Sequence, residues 1–401
     1  MKYFILVPDG CGDWPIPSLD GKTPLETANI KYINELAKVS ETGLVRTIPD
    51  GIEPGSDAAN LSLLGYDPAI YLSGRAPLEA AAMSIPMSDT DAAFRASLVT
   101  LEGDGQYKEL TVKDHSAGEI ENEDADIFIR YIDEKLGGDG LRFYPGISYR
   151  CLLITDKLDV KCKITPPHDI LGQTVGGYLP DDDQIRELMV KSYELLKNHP
   201  LNIERVKNGK PPVSSIWLWG QGKKMVLPSL AEKYGVSGCM VAAVNLLKGI
   251  GCSAGLTCPD IPGATGTLYT NYEGKAAGAV EAFKSGKDLV FTHVEAPDEC
   301  SHTGDLDGKL KSLELIDQKI FKPVTEYLES SGEPYRVLVL PDHMTPVEIR
   351  THSSEPVPFI LFDSQNKLPA DETKAFSEAC GKQGRFFNSG SDLADYFFRS
   401  T

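Results

Sequence analysis

Residues 288–302 read DLVFTHVEAPDECSH: an apolar, β-branched run over 288–294 breaks at Ala296-Pro297, and Asp298 and His302 follow at once. A short β-rich run ended by turn residues predicts a strand. The same arrangement recurs at both ends of the chain. Residues 3–7 (YFILV) run into Pro8-Asp9-Gly10, residues 336–340 (RVLVL) into Pro341-Asp342-His343, and two further runs lie at 239–244 and 358–362. Their continuous hydrophobicity suits strands covered on both faces. Leu306, Leu310, Leu313, Ile316, Ile320, Val324 and Leu328 step by three or four and predict one long amphipathic helix. Alternation of this kind predicts an α/β fold with a mostly parallel sheet, helices on both faces, and ligands at the carboxyl ends of the strands.

The middle of the chain has another pattern. Residues 94–101 and 107–112 flank Glu102-Gly103-Asp104-Gly105, a hairpin signal, and strands are expected at 141–144, 149–154, 160–164 and 215–219, with one helix near 182–198. We read 76–225 as an inserted α+β domain and 1–75 with 226–401 as the discontinuous domain around it. The Pro/Gly-rich stretches at 73–77 and 208–212 are the boundary or loop candidates.

The 401 residues carry 40 Lys+Arg against 58 Asp+Glu, a formal charge of −18, which would repel nucleic acid and anionic membrane surfaces. A small anionic substrate would therefore need local positive charge, from metal ions or clustered Lys and Arg. The N-terminal apolar run is too short for a signal segment or a membrane span, so a cytoplasmic protein is expected. Eight cysteines without CxxC pairs read as reduced, mostly buried thiols, with Cys11 and Cys300 beside the acidic motifs as reactive alternatives. No signature of an oligomeric state is present.

Four groups follow expected strands: Asp9; Asp298 with His302; Asp342-His343; and His352. Mixed Asp and His donors suit Mn²⁺, Zn²⁺ or Fe²⁺ better than Ca²⁺. One such group alone is a turn with a satisfied histidine, whereas four on one sheet edge point to metal. His293, ending the 288–294 strand, reads as a core or supporting residue. In 54–64 (PGSDAANLSLL) a loop turns into a helix with Ser56 near the N-cap, where free amides would cap locally or favour a phosphoryl group. A neighbouring metal would lower the Ser56 hydroxyl pKa and make it a nucleophile.

Together, PDG at 8–10, GSDAANLSLLGYDP at 55–68, GRAPLEAAAM at 74–83, AFRASLVT at 93–100, PGATG at 262–266, Asp298/His302 and PDHMTP at 341–346 resemble the archaeal-type cofactor-independent phosphoglycerate mutases of the alkaline phosphatase superfamily. The resemblance spans almost the whole chain. It implies an isomerase, an intramolecular phosphotransferase, with an alkaline-phosphatase-like domain and an insert that closes over phosphoglycerate. It implies one divalent ion on Asp9, Ser56, Asp342 and His343 and another on Asp298, His302 and His352, Mn²⁺ first, with Zn²⁺, Co²⁺ or Mg²⁺ as alternatives. The implied reaction interconverts 3- and 2-phosphoglycerate in glycolysis and gluconeogenesis through a phosphoserine at Ser56, without 2,3-bisphosphoglycerate. Arg95, Arg150, Lys248 and His115 are the expected substrate contacts, while Lys275 reads as helix surface and Arg75 as linker. His115 departs from the family's DYSAG, in which Tyr is expected. The alternatives are a metal-dependent phosphatase, another phosphomutase of the superfamily, or a metal-stabilised binding protein.

Overall fold

The computed structural model describes residues 1–399, so the last two residues of the 226–401 segment lie outside the described residues. The chain forms two compact units, Met1–Leu72 with the chain from Leu227 onward, and Ser73–Val226. Twelve strands are assigned among the described residues: β1 (Lys2–Pro8), β2 (Glu41–Val45), β3 (Ala92–Glu102), β4 (Thr111–Asp114), β5 (Leu141–Ile147), β6 (Arg150–Thr155), β7 (Ser215–Lys223), β8 (Gly238–Val241), β9 (Leu289–Val294), β10 (Tyr335–Val339), β11 (Val357–Asp363) and β12 (Arg385–Phe387).

The first unit holds a seven-stranded sheet in the order β12-β2-β11-β10-β1-β9-β8. The pairs β10-β1, β1-β9, β9-β8 and β12-β2 are parallel, so the expected α/β class with a mostly parallel sheet is what the chain adopts. The 358–362 run is a strand, but β11 lies antiparallel to both β10 and β2. Leu6 pairs with Val339 and Pro8 with Val294, which aligns the carboxyl ends of three parallel strands. Residues 9, 295 and 342 therefore leave the sheet on one rim. Phe4, Leu6, Val290, Val294, Val337 and Val339 are fully buried in one core with Leu313, Ile316, Ile320, Val324 and Leu328. Each large aliphatic side chain so buried contributes roughly 1.5–3 kcal/mol.

The expected single helix over those leucines is interrupted. Leu306–Ile316 passes through a π-helical turn, Asp317–Phe321, into Lys322–Ser331. Pro323 has no amide to donate back into the ladder, so the register slips by one residue there.

The second unit is built on an antiparallel sheet, β4-β3-β6-β5 with β7 also paired to β3. Phe94, Ala96 and Leu98 of β3 pack in one cluster with Phe128 and Ile132 of the Asn122–Leu136 helix and Ile185 and Met189 of the Asp183–Leu196 helix. The alternate residue Ala93 packs with Ala76 and Ala80 of the Arg75–Ala82 helix. Two expectations fail here. Residues 160–164 form no strand, because Asp159 closes a turn by accepting the Lys161 amide and Gln221 takes the Cys162 carbonyl. Arg75 is not linker but the first residue of its helix, preceded by Gly74 at φ 135°.

No helix among the described residues is long and apolar enough to cross a membrane. All eight cysteines are free, and Cys11, Cys151, Cys239 and Cys300 are buried.

Candidate active site

The rim of the seven-stranded sheet gathers Asp9, Ser56, Asp298, His302, Asp342, His343 and His352. Asp9 follows β1, Asp342 and His343 follow β10, and Asp298 and His302 lie four residues apart on the Ala296–Thr303 helix. Their donor atoms form two groups, Asp9/Asp342/His343 and Asp298/His343/His352, each with its donors within 4.8 Å of one another and with His343 in both. His302 Nε2 joins the second group, 3.1 Å from Asp298 Oδ2 and 3.1 Å from His352 Nε2.

Ser56 is the first residue of the Ser56–Leu63 helix, and Gly55 rather than Ser56 occupies the N-cap. Its hydroxyl serves no cap. Instead Oγ lies 3.1 Å from His343 Nε2. Asn60, one turn on, donates from Nδ2 to the Ser56 carbonyl and to Asp342 Oδ2, both at 2.8 Å, and so ties the helix to the rim. Gly10 turns the chain after Asp9 at φ 58°, and its amide donates to Asp342 Oδ1 at 3.2 Å. A Cβ at this position would stand closer than 3.0 Å to Thr345 Oγ1 and Asp298 Oδ1, so only glycine lets the backbone pass.

The imidazoles share one orientation. His302 Nδ1 donates to the Arg350 carbonyl at 2.9 Å, and His352 Nδ1 to the Pro54 carbonyl at 3.1 Å. Thr345 Oγ1 donates to Asp298 at 2.6 Å, which leaves its lone pair to accept His343 Nδ1–H at 3.1 Å. With Nδ1 engaged in all three rings, the Nε2 atoms converge on the carboxylates. The buried Asp9 Oδ1 makes no hydrogen bond. Burial, then the Asp342 and Asp298 charges, push Asp9 well above the usual carboxylate range. Burial alone would raise Asp342 and Asp298 as well, but the His343 charge foremost holds Asp342 well below that range, and hydrogen bonds from His302 and His352 do the same for Asp298. Burial foremost holds His343 below its ordinary value, against the Asp342 and Asp298 carboxylates that raise it. Converging imidazole nitrogens, an orphaned carboxylate oxygen and a mixed O/N donor set fit divalent metal ions.

Several residues of this rim escape a sequence reading. Asn60 carries one signal, its spacing of four from Ser56, and Thr345 another, its place two residues after His343. Lys275, expected on a helix surface, is fully buried and pairs with Glu295 at 2.6 Å. Lys309, also fully buried, joins Asp13 at 2.8 Å to the Thr345 carbonyl at 3.0 Å. His293 is buried beside Asp342, 3.4 Å away. Burial would depress it, but the Asp342 and Glu295 carboxylates raise it to about 9. Cys11 and Cys300 are poor nucleophiles, since burial pushes both thiols up, Cys300 to about 11.

The expected substrate contacts are divided between the two units. Lys248 ion-pairs with Asp260 in the first unit. In the second unit Arg95 pairs with Glu79 and lies over Trp219, 4.5 Å from the ring centroid. Arg150 is exposed over Tyr149, and His115 packs edge-on against Tyr149 and His168. His168, which also meets Trp219 at 5.2 Å, had no motif to announce it.

Residues 37–202 match the family model of 2,3-bisphosphoglycerate-independent phosphoglycerate mutase. A protein of that name from Methanosarcina barkeri is 47% identical over 96% of this chain and 96% of its own. Among solved structures, the cofactor-independent phosphoglycerate mutase from Thermoplasma acidophilum aligns with a TM-score of 0.69 at 27% identity, covering 99% of both chains. A Pyrococcus horikoshii protein aligns at 0.79 with 29% identity, over 99% of this chain and 96% of its own. With full-length identity at that level and the rim intact, the chain belongs to the family of 2,3-bisphosphoglycerate-independent phosphoglycerate mutases.

Proposed function

We propose that this protein is an isomerase that interconverts 3-phosphoglycerate and 2-phosphoglycerate through a phosphoserine on Ser56, without 2,3-bisphosphoglycerate. Its setting on this reading is the cytoplasm, in glycolysis and gluconeogenesis. The observation that carries it is the placement of Ser56, whose hydroxyl leaves its own helix uncapped and points at His343 Nε2 3.1 Å away.

Asp9, Ser56, Asp342 and His343 would hold one divalent ion and Asp298, His302 and His352 the other, with Mn²⁺ the first choice. Such ions polarise phosphoryl oxygens and lower the pKa of a bound hydroxyl. The chain's own part begins at Ser56 Oγ. The Ser56 hydroxyl gives up its proton and Oγ bonds to phosphorus as the bond to the glycerate C3 oxygen breaks, and that oxygen takes up a proton as it leaves, so none is gained or lost. The C2 hydroxyl then attacks the phosphoserine, gives up a proton, and returns the serine hydroxyl. Amides of the first helical turn after Ser56 favour the anionic group there. Asn60 and Gly10 keep Asp342 fixed throughout. Arg95, Arg150, Lys248 and His115 are assigned to the substrate's phosphate and carboxylate. Arg150 is the best supported of them, because it makes no ion pair among the described residues. Segment 76–225 is the part to which we assign acceptor selectivity.

Purified protein with 3-phosphoglycerate and Mn²⁺, free of 2,3-bisphosphoglycerate, should form 2-phosphoglycerate in a phosphorus NMR time course. Free phosphate as the sole product would make it a phosphatase. Rapid quenching with labelled substrate should place the label on the peptide containing Ser56, and label on a histidine would overturn the mechanism.

A further inference from the structure

Lys275 carries a fully buried charge that the reaction above does not use. It sits in the Tyr272–Lys284 helix and donates from Nζ to Glu295 Oε2 at 2.6 Å and to the His293 carbonyl at 2.8 Å. Glu295 follows β9 directly, and its Oε1 accepts the Ala243 and Val244 amides at 2.9 and 3.2 Å. The same Oε1 faces His293 Nδ1 at 3.6 Å. On its other edge, His293 Nε2 faces Asp342 Oδ2 at 3.4 Å and Asp9 Oδ2 at 3.6 Å. A buried line of charged groups thus runs from Lys275 and Glu295, tied to His293 by the Lys275 bond to its carbonyl while its Nδ1 makes no hydrogen bond, to the two carboxylates of one ion-binding group.

Burying an ion pair costs several kcal/mol of desolvation per ion, and apolar side chains of the same volume would fill this space at least as well. The pair therefore needs a use besides packing. The two donor groups differ in this respect. His302 and His352 are oriented by backbone carbonyls, and Asp298 by Thr345, with no part in the line. Asp9 and Asp342 are the carboxylates that His293 faces. We propose that Lys275 and Glu295 are positioning residues that hold His293, and through it fix the ion affinity of the Asp9/Asp342 group, while the Asp298/His302/His352 group is held independently. This rests on the two-ion reading above but not on the identity of the substrate.

The test is Mn²⁺ binding to ion-free protein, followed by calorimetry and by the electron paramagnetic resonance of unbound Mn²⁺. Wild type should take up two ions per chain; failure to do so would overturn the two-ion reading and this proposal with it. In Lys275→Met, and in the neutral double variant Lys275→Met/Glu295→Gln, one ion should bind as in wild type and the other about 10–100-fold more weakly. Excess Mn²⁺ should restore turnover without a change in the KM for 3-phosphoglycerate, which a merely structural defect would not allow. If wild type binds two ions but both weaken together in the variants, or neither does, the proposal alone fails. Loss of the far-ultraviolet dichroism in both variants would likewise reduce the pair to a core element and overturn it.

Discussion

The rim of the seven-stranded sheet and the aromatic patch of the second unit use charge in opposite ways. On the rim the groups are short, buried and oriented from behind: Asp342 and His343 are fully buried, and Asn60, Gly10 and Thr345 fix their angles. In the second unit the cations are long and laid over rings, Arg150 exposed over Tyr149 and Arg95 over Trp219 with Glu79 as its partner. A divalent ion demands fixed donors at fixed angles, so ordering is completed during folding. An organic anion can be met by side chains that lose their rotamer freedom only on binding. Removing a rim residue should consequently abolish function, while removing a patch residue should weaken it by degrees.

Four measurements can break or sharpen that contrast. Ser56→Ala should lower interconversion by about 10⁴-fold or more, since no neighbouring oxygen can carry the phosphoryl group. The same change should alter stability by less than about 0.5 kcal/mol in thermal unfolding, because the hydroxyl caps nothing. Next, Asp342→Ala should remove the stabilisation that one of the two Mn²⁺ ions gives to wild type, about 2.7 kcal/mol at a hundred times its Kd. Full metal content in that variant by elemental analysis would contradict the ligand assignment.

Arg150→Ala should raise the KM for 3-phosphoglycerate about 10–100-fold and leave Mn²⁺ uptake as it was. An effect on metal uptake would erase the distinction between the two regions. The smallest effect is expected at Asp114, which shapes the turn bearing His115 by accepting the Ser116 amide and hydroxyl and the Gly118 amide. Burial opposes its ionisation, but those hydrogen bonds hold it below its ordinary value of 3.8. A carboxyl depressed by folding contributes stability above its unfolded pKa and loses it as pH falls through the folded one. Asp114→Asn should therefore cost about 0.5–1 kcal/mol at pH 7, and the difference from wild type should shrink below about pH 4 in acid titrations followed by dichroism.

Much of this arrangement is legible in the chain because it rests on local signals. Residues 3–7, 288–294 and 336–340 are apolar without alternation, and each is followed within four residues by an acid, which is how a buried parallel strand with a functional carboxyl end must look. What stays hidden depends on partners distant in sequence. Lys275, within YEGKAAGAVEAFK, has the composition of an exposed helix face; its burial follows from Glu295, twenty residues on, at the end of a strand. Val160, Cys162 and Ile164 alternate as a strand would, yet Gln221, some sixty residues away, takes up backbone carbonyls there. Ser56 stands near the N-cap as expected, but only the structure shows that Gly55 is the cap itself, which leaves the hydroxyl free for chemistry. Pro323 goes unread among the leucines, and the packed helix shows that the ladder adjusts before it with a π turn instead of ending.

The central place of β1 has a consequence in time. Lys2 pairs with Tyr335 and Tyr3 with Leu289, so β1 leaves the ribosome long before either of its neighbours. At about 5–20 residues per second, roughly 15–70 s of synthesis separate Lys2 from Tyr335. The Ser73–Val226 unit, whose strands pair among themselves and whose core is its own, can be finished within that interval. Meanwhile an apolar strand waits with both edges bare, an invitation to mispairing that a nascent-chain chaperone would have to decline. Asp9 is thus made long before Asp342 and His343, and a ribosome stalled before residue 335 would hold a nascent chain with one folded unit and an incomplete rim.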